Sequence, residues 1–360
     1  MNKKKVLLGM SGGIDSSLAA LLLLEQGYDV VGLTMQMWDD VENDPRHHDQ
    51  GSSSTDSIHE AKAVADQLNI PHHTENIVDE FNQTVVCNFV NEYLNGKTPN
   101  PCVLCNTQIK WKVLQRKAKA LNCDYIATGH YAQIVKSDTG FLLKRAKDQK
   151  KDQSYFLWGL APEILKKIIL PLGQYTKDQI RKMAAENGFV KLAQQKESQE
   201  ICFIPDNDYR SYLRKNVPGI EQKIGPGDFI STDGKILGQH EGYPFYTIGQ
   251  RKGLKIALGK PMYVLNINAR NNEIVLGKRS ELYQKELRVK NFNLMAPIPP
   301  DQAVEVITKV RYKSEGIRST LKMEGSTIRI HFRNEVFAIT PGQSAVFYAN
   351  DILLGGGIIV

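Results

Sequence analysis

The chain has 360 residues, 41% of them hydrophobic and 24% charged, with a net charge of +7. That length accommodates two or three domains, and the composition is that of an ordinary soluble globular protein. The mild basic excess permits a polyanionic partner without demanding one. The five cysteines, odd in number and sparse, exclude a disulfide scaffold.

In chain order, Met1-Asn2-Lys3-Lys4-Lys5 has the charge of a signal peptide, but no long apolar segment follows it. The longest apolar run, residues 18–24, is too short to span a bilayer, so a cytoplasmic protein without a membrane partner is expected. Val6-Leu7-Leu8 reads as a short buried strand, and residues 18–24 as part of a helix ending at Gly27. Between them lies Gly9-Met10-Ser11-Gly12-Gly13-Ile14-Asp15-Ser16-Ser17. A glycine turn between strand and helix brings backbone N–H groups close to an anion, and the helix N-terminus adds partial positive charge. Ser11, Ser16 and Ser17 offer hydroxyl donors, and Asp15 is placed to hold Mg²⁺ beside a pyrophosphate. The Gly-Lys-Ser/Thr ending of a Walker A loop and the G-x-G-x-x-G dinucleotide pattern are both absent. The string resembles instead the PP-loop of ATP pyrophosphatases, enzymes that split ATP between its α and β phosphates.

A second strand is read at residues 30–35, followed by a polar loop over residues 39–55. Helices are read from Asp56 to about Leu68, from about Asp79 to Leu94, and from about Gln108 to Leu121. Tyr125-Ile126-Ala127-Thr128 is a strand ending in Gly129-His130. This alternation predicts an α/β domain with a parallel sheet, ligands sitting beyond the carboxyl ends of its strands. The loops after Leu8, Met35 and Thr128 should then share one site. Thr176-Lys177-Asp178-Gln179 is a capping box for a helix stopping at Gly188. After about residue 206, Gly and Pro punctuate short β-rich runs, which predicts small β domains of barrel type.

Thr98-Pro99-Asn100-Pro101-Cys102-Val103-Leu104-Cys105-Asn106 is stiffened by its prolines. With a helix expected to start close to Cys105, a thiolate there would be stabilised by the helix N-terminus and its pKa lowered. Cys202, in Ile201-Cys202-Phe203-Ile204, is distant in sequence but able to meet it in the fold. Inert packing is the other reading of such cysteines; a structural zinc would want a fourth ligand that no second C-x-x-C or H-x₃-H supplies. A reactive thiol beside an adenylating loop suggests sulfur insertion, because an adenylated carbonyl carbon is open to attack by a thiolate or persulfide. Cys87 and Cys123 read as packing, His47-His48 and His72-His73 as surface pairs, and Trp38, Trp111 and Trp158 as core or partly buried anchors.

Taken together, residues 9–17 and 98–106, Ala127-Thr128-Gly129-His130-Tyr131, Lys151-Asp152-Gln153-Ser154-Tyr155-Phe156-Leu157, Ile201-Cys202-Phe203-Ile204, Ile248-Gly249-Gln250-Arg251-Lys252-Gly253-Leu254 and residues 340–348 resemble the tRNA-specific 2-thiouridylase family from end to end. The resemblance implies a PP-loop (adenine nucleotide alpha hydrolase-like) catalytic domain over residues 1–205, a small central β-rich domain over 206–280 and a C-terminal β-barrel over 281–360. It implies ATP-dependent 2-thiolation of the wobble uridine in lysine, glutamate and glutamine tRNAs, with ATP and Mg²⁺ as cofactors. The partners implied are tRNA and an upstream sulfur donor, a cysteine desulfurase or sulfur-relay protein; a monomer is the expected state.

By that resemblance ATP contacts Gly9, Met10, Ser11, Gly12, Gly13, Ile14, Asp15, Ser16, Met35 and Gly129. Cys105 matches the nucleophile and Cys202 the persulfide carrier, and the two can form a disulfide as sulfur leaves. Asn100, Pro101 and Cys102 match the loop that holds the target base. His130, Lys151, Asp152, Gln153, Arg311, Tyr312 and Gln343 match positions that touch tRNA. Cys102 departs from the pattern, standing where many members have an aspartate that is a proposed acid or base. That leaves open an iron–sulfur cluster held by Cys102, Cys105 and Cys202. A separate alternative keeps the PP-loop and changes the substrate, as in a different PP-loop ATP pyrophosphatase.

Overall fold

The computed structural model describes residues 3–38, 54–138, 140–194, 201–204, 206–256, 259–299 and 302–360. The polar stretch at 39–53, with His47-His48, lies outside them. The chain divides into two compact units, Met1–Val85 with Cys102–Pro205 and Asp351–Leu353, and Val86–Pro101 with Asp206–Asn350 and Leu354–Val360.

The first unit is built on β1 (Lys5–Gly9), β2 (Asp29–Gln36), β3 (His72–Asn76), β4 (Tyr125–Thr128) and β7 (Ile168–Ile169), a sheet in the order β3-β2-β1-β4-β7. Every pairing in it is parallel. Val6, Leu7 and Leu8 of β1 are wholly buried, as a central parallel strand covered on both faces requires. The helix Ile14–Glu25 packs its leucines and alanines into one core with the helices Ser54–Gln67 and Lys177–Glu186. Because β1 is flanked by β2 on one side and β4 on the other, the loops after these three strands open at one end of the sheet, at its topological switch point. The shared site expected there is therefore framed as the alternation of elements predicted. A hairpin of β5 (Ala132–Ser137) and β6 (Gly140–Arg145) completes the unit, with Ile352 paired to Lys144.

Three expectations are corrected here. Helical structure starts at Pro101, not near Gln108: Pro101–Leu104 leads into a π-helical turn, Cys105–Lys110, and then the helix Trp111–Ala120. Proline is well suited to a first helical position, where its missing N–H goes unused. Cys105 is thus inside the helical stretch rather than at its mouth. His72 and His73 are also not surface residues; they are half-buried in β3, where His72 Nε2 lies 2.8 Å from Thr34 Oγ1. Cys87 is exposed rather than packed, whereas Trp111 and Trp158 are in the core as expected.

The second unit holds a four-stranded sheet of β8 (Gly227–Ser231), β9 (Ile236–His240), β10 (Tyr263–Asn268) and β11 (Glu273–Gly277), in the order β10-β11-β8-β9. It also holds a six-stranded barrel of β12 (Tyr283–Leu294), β13 (Val304–Lys309), β14 (Ile317–Glu324), β15 (Thr327–Phe337), β16 (Ser344–Ala349) and β17 (Ile352–Ile359). Pairing of β12 with β17 closes the barrel and removes its sheet edges. Alternation along β15, with Ile328, Ile330 and Phe332 fully buried, faces one side of the strand to the interior. The segment Val86–Pro101 is anchored within this unit. Tyr93 stacks on Tyr209 at 4.5 Å, the Tyr243 hydroxyl donates to Leu94 O at 2.6 Å, and Thr98 N donates to Pro341 O at 3.0 Å.

Candidate active site

The phosphate loop is shaped by its glycines. Gly12 has φ of +78°, a left-handed conformation, and a Cβ there would lie 2.8 Å from the Ser57 carbonyl oxygen. Gly13 caps the helix Ile14–Glu25 without any side-chain hydrogen bond, so the first-turn N–H groups are left for an anion. The serines hold the loop in form: Ser16 Oγ donates to Gly13 O at 3.0 Å and accepts from Ser11 N at 3.2 Å, and Ser17 Oγ donates to Gly13 O at 3.0 Å. Gly129 completes the cradle, since a Cβ there would meet Asp15 C and Ser16 N at 2.9 Å. Met10 is buried with its sulfur against Gly32, and Met35 is half-buried near the end of β2.

These features fit a nucleotide's phosphates. They do not fit Asp15 as a ready magnesium ligand. Its carboxylate accepts Lys177 Nζ at 2.7 and 2.9 Å, and Oδ1 also accepts the Tyr131 hydroxyl at 2.7 Å. Lys177 is buried and opens the helix Lys177–Glu186; Thr176 and Gln179 cap that helix reciprocally as the sequence predicted. Sequence reasoning singles out neither Tyr131 nor Lys177 as a site residue, Lys177 because its neighbours explain it as part of a capping box.

Cys102 and Cys105 are one helical turn apart, and Asn106 Nδ2 donates to Cys102 O at 3.0 Å. All five cysteines are free thiols. Lys110 ends the π turn that Cys105 begins, and its ammonium acts electrostatically on Cys102, Cys105 and Cys202. Burial pushes the Cys102 and Cys105 thiols up, and Lys110 offsets only part of this. Cys202 keeps solvent access but lies in dense surroundings that push it up to about 12, again against Lys110. The expectation of a lowered Cys105 pKa is therefore reversed, because desolvation outweighs a helix end that has moved back to Pro101. For Lys110 itself, burial lowers the pKa and charge on the three cysteines raises it by more, so the net direction is upward. Among the described residues no three His, Cys, Asp or Glu side chains stand close enough to share a single metal ion.

His130 joins the two halves of the site. It follows Gly129, sets Nδ1 2.7 Å from Thr128 Oγ1, and stacks on Trp111 at 6.2 Å, next to Lys110. Burial, helped by the Lys110 charge, lowers its pKa to about 3, so it is neutral at physiological pH. Asp152, expected at a tRNA contact, is buried and turned inward, accepting from Ala146 N at 3.1 Å, Ser154 N at 3.2 Å and Ser154 Oγ at 2.9 Å. Gln153 exchanges hydrogen bonds with the Tyr131 backbone, Oε1 from Tyr131 N and Gln153 N to Tyr131 O, both at 2.8 Å. Lys151 is half-buried on the same turn.

In the second unit, Gln343 Nε2 donates to Thr98 O at 3.0 Å and Pro99 O at 2.9 Å, so it positions the loop that carries Asn100 and Pro101. Arg311 Nη2 donates to Ala338 O and to Thr340 Oγ1, and Lys309 lies over the Tyr312 ring at 5.8 Å.

Three family profiles match in succession: the tRNA methyl transferase HUP domain at residues 4–206, the tRNA methyl transferase PRC-barrel domain at 217–278 and the aminomethyltransferase beta-barrel domain at 284–359. The chain is 50% identical to the tRNA-specific 2-thiouridylase MnmA of Amoebophilus asiaticus, over 100% of this chain and 96% of that protein. It is 47% identical to that of Cytophaga hutchinsonii over 100% and 98%, and 45% identical to that of Acetivibrio thermocellus over the full length of both. The chain belongs to the tRNA-specific 2-thiouridylase family.

Proposed function

We propose that this protein is an ATP-dependent tRNA sulfurtransferase that replaces the C2 oxygen of the wobble uridine in lysine, glutamate and glutamine tRNAs by sulfur. The observation that carries this is the continuity of the site: Gly129 packs on the phosphate loop and His130, the next residue, reaches Trp111 and the charge of Lys110 among the cysteines. Residues 9–16, Met35 and Gly129 bind ATP, and Asn100, Pro101 and Cys102 receive the base. The division into domains 1–205, 206–280 and 281–360 belongs to the same reading.

In the first step the uridine C2 oxygen attacks the α-phosphorus and pyrophosphate leaves, with the glycine loop and the helix N-terminus stabilising its charge. A persulfide on Cys202, charged by an upstream donor, then attacks C2 through its terminal sulfur, and AMP departs with the former C2 oxygen. The Cys105 thiolate attacks Sγ of Cys202; the S–S bond breaks, sulfur stays on C2, and a Cys105–Cys202 disulfide forms. A two-electron thiol reductant resets the pair. His130, neutral and held by Thr128, positions rather than protonates. An amide-forming ATP pyrophosphatase would have no use for the paired cysteines. Pyrophosphate release should depend on added tRNA, and 2-thiouridine should form with a persulfide donor. Cys105→Ser and Cys202→Ser should each abolish thiouridine, Cys105→Ser leaving pyrophosphate release. Undiminished 2-thiouridine in Cys202→Ser would overturn the relay.

A further inference from the structure

We propose that Lys177 is a phosphate-binding residue of the nucleotide site, and that Asp15 holds its ammonium in place instead of ligating magnesium. The inference rests on the nucleotide reading of that site and names the cation within it.

Lys177 is the first residue of the helix Lys177–Glu186, the end where a cation opposes the helix dipole. A lysine kept for helix stability belongs at the other end. Its side chain is only 7% exposed, yet it ends in a charge, and a buried ammonium requires a compensating partner. Asp15 is that partner, with both carboxylate oxygens within 2.9 Å of Nζ. The Tyr131 hydroxyl fixes the same carboxylate at 2.7 Å, and the Tyr131 backbone is in turn fixed by Gln153. Asp15 lies in the first turn of the uncapped helix that follows the glycine loop. The arrangement therefore brings a dry positive charge to where the phosphates are cradled, and holds it with a carboxylate that a ligand can share it with. In such surroundings a charge acts more strongly on an anion than at the open surface.

The alternative is that Lys177 only neutralises Asp15, whose unpaired charge would repel a phosphate. A double-mutant cycle separates the two. Calorimetric titration of the full chain with inorganic pyrophosphate, ATP and AMP would compare wild type, Lys177→Met, Asp15→Asn and the double variant. Direct contact predicts that Lys177→Met weakens pyrophosphate and ATP by about tenfold or more, and AMP much less. It predicts that Asp15→Asn binds pyrophosphate at least as well as wild type, and that the double variant stays weak. Wild-type pyrophosphate affinity in Lys177→Met or in the double variant overturns the proposal. Should Lys177→Met fail to fold by circular dichroism, the double variant, which buries no unpaired carboxylate, decides: weakened pyrophosphate binding supports the contact, and wild-type affinity overturns it. A wild-type chain that binds neither ATP nor pyrophosphate removes the nucleotide reading itself.

Discussion

At the scale of single residues, Lys110 is the cation that acts on all three cysteines of the site. Burial holds Cys105 and Cys202 as thiols at neutral pH, while the Lys110 ammonium lowers the cost of each thiolate. The sign follows directly: reactivity rises as pH climbs through a raised thiol pKa, and removing a cation moves that rise to higher pH. Lys110→Gln should therefore slow iodoacetamide alkylation of Cys105 and Cys202 several-fold at pH 8 and shift the pH profile upward, with Lys110→Arg close to wild type. Exposed Cys87 serves as an internal control whose rate should not change. Coincident profiles for wild type and Lys110→Gln would exclude Lys110 from thiol activation. The cysteines stand out in the sequence as candidates, but the direction of their pKa shift does not, because burial is a property of packing. Lys110 carried no signal at all, since its place beside Cys105 depends on a π turn that spacing rules for ordinary helices do not anticipate.

Among the elements, strands that bury both faces were readable and edge strands were not. Apolar runs announced β1, β2 and β4. His72-His73-Thr74-Glu75-Asn76 of β3 is polar because β3 lies at the sheet edge, and β7 is two residues long. The phosphate loop was legible because its glycines answer to local geometry: positive φ at Gly12 and close approach at Gly129. The Asp15–Lys177 pair, 162 residues apart, was not. Gly129 offers a test at this scale. A side chain there has to displace the backbone of Asp15 and Ser16, met at 2.9 Å, and both are part of the helix turn proposed to receive phosphate. Gly129→Val should weaken ATP binding by about tenfold, or ~1.4 kcal/mol, while leaving tRNA affinity within about twofold. Equal ATP affinity by calorimetry would mean that the loop after β4 is not part of the nucleotide cradle.

For the whole molecule, a net charge of +7 on 360 residues makes salt dependence the natural probe of tRNA binding. Removing one ion pair with a tRNA phosphate should reduce the slope of log affinity against log salt by about 1. Lys151 and Arg311 differ in what else they do. Arg311 is bonded within the barrel to Ala338 O and Thr340 Oγ1, so Arg311→Ala should lower the melting temperature as well as the slope. Asp152 is fully committed inside its turn, so Asp152→Ala should lower the melting temperature, and any effect on tRNA affinity should come without a change of slope. Filter binding of lysine tRNA from about 50 to 200 mM salt, paired with thermal melts, resolves the three. Lys151→Ala with a reduced slope and an unchanged melting temperature would place its ammonium on a phosphate. Arg311→Ala that melts early but keeps the wild-type slope would assign that guanidinium to the barrel alone, and the phosphate would then have to be met by a neighbour such as Lys309 or Tyr312.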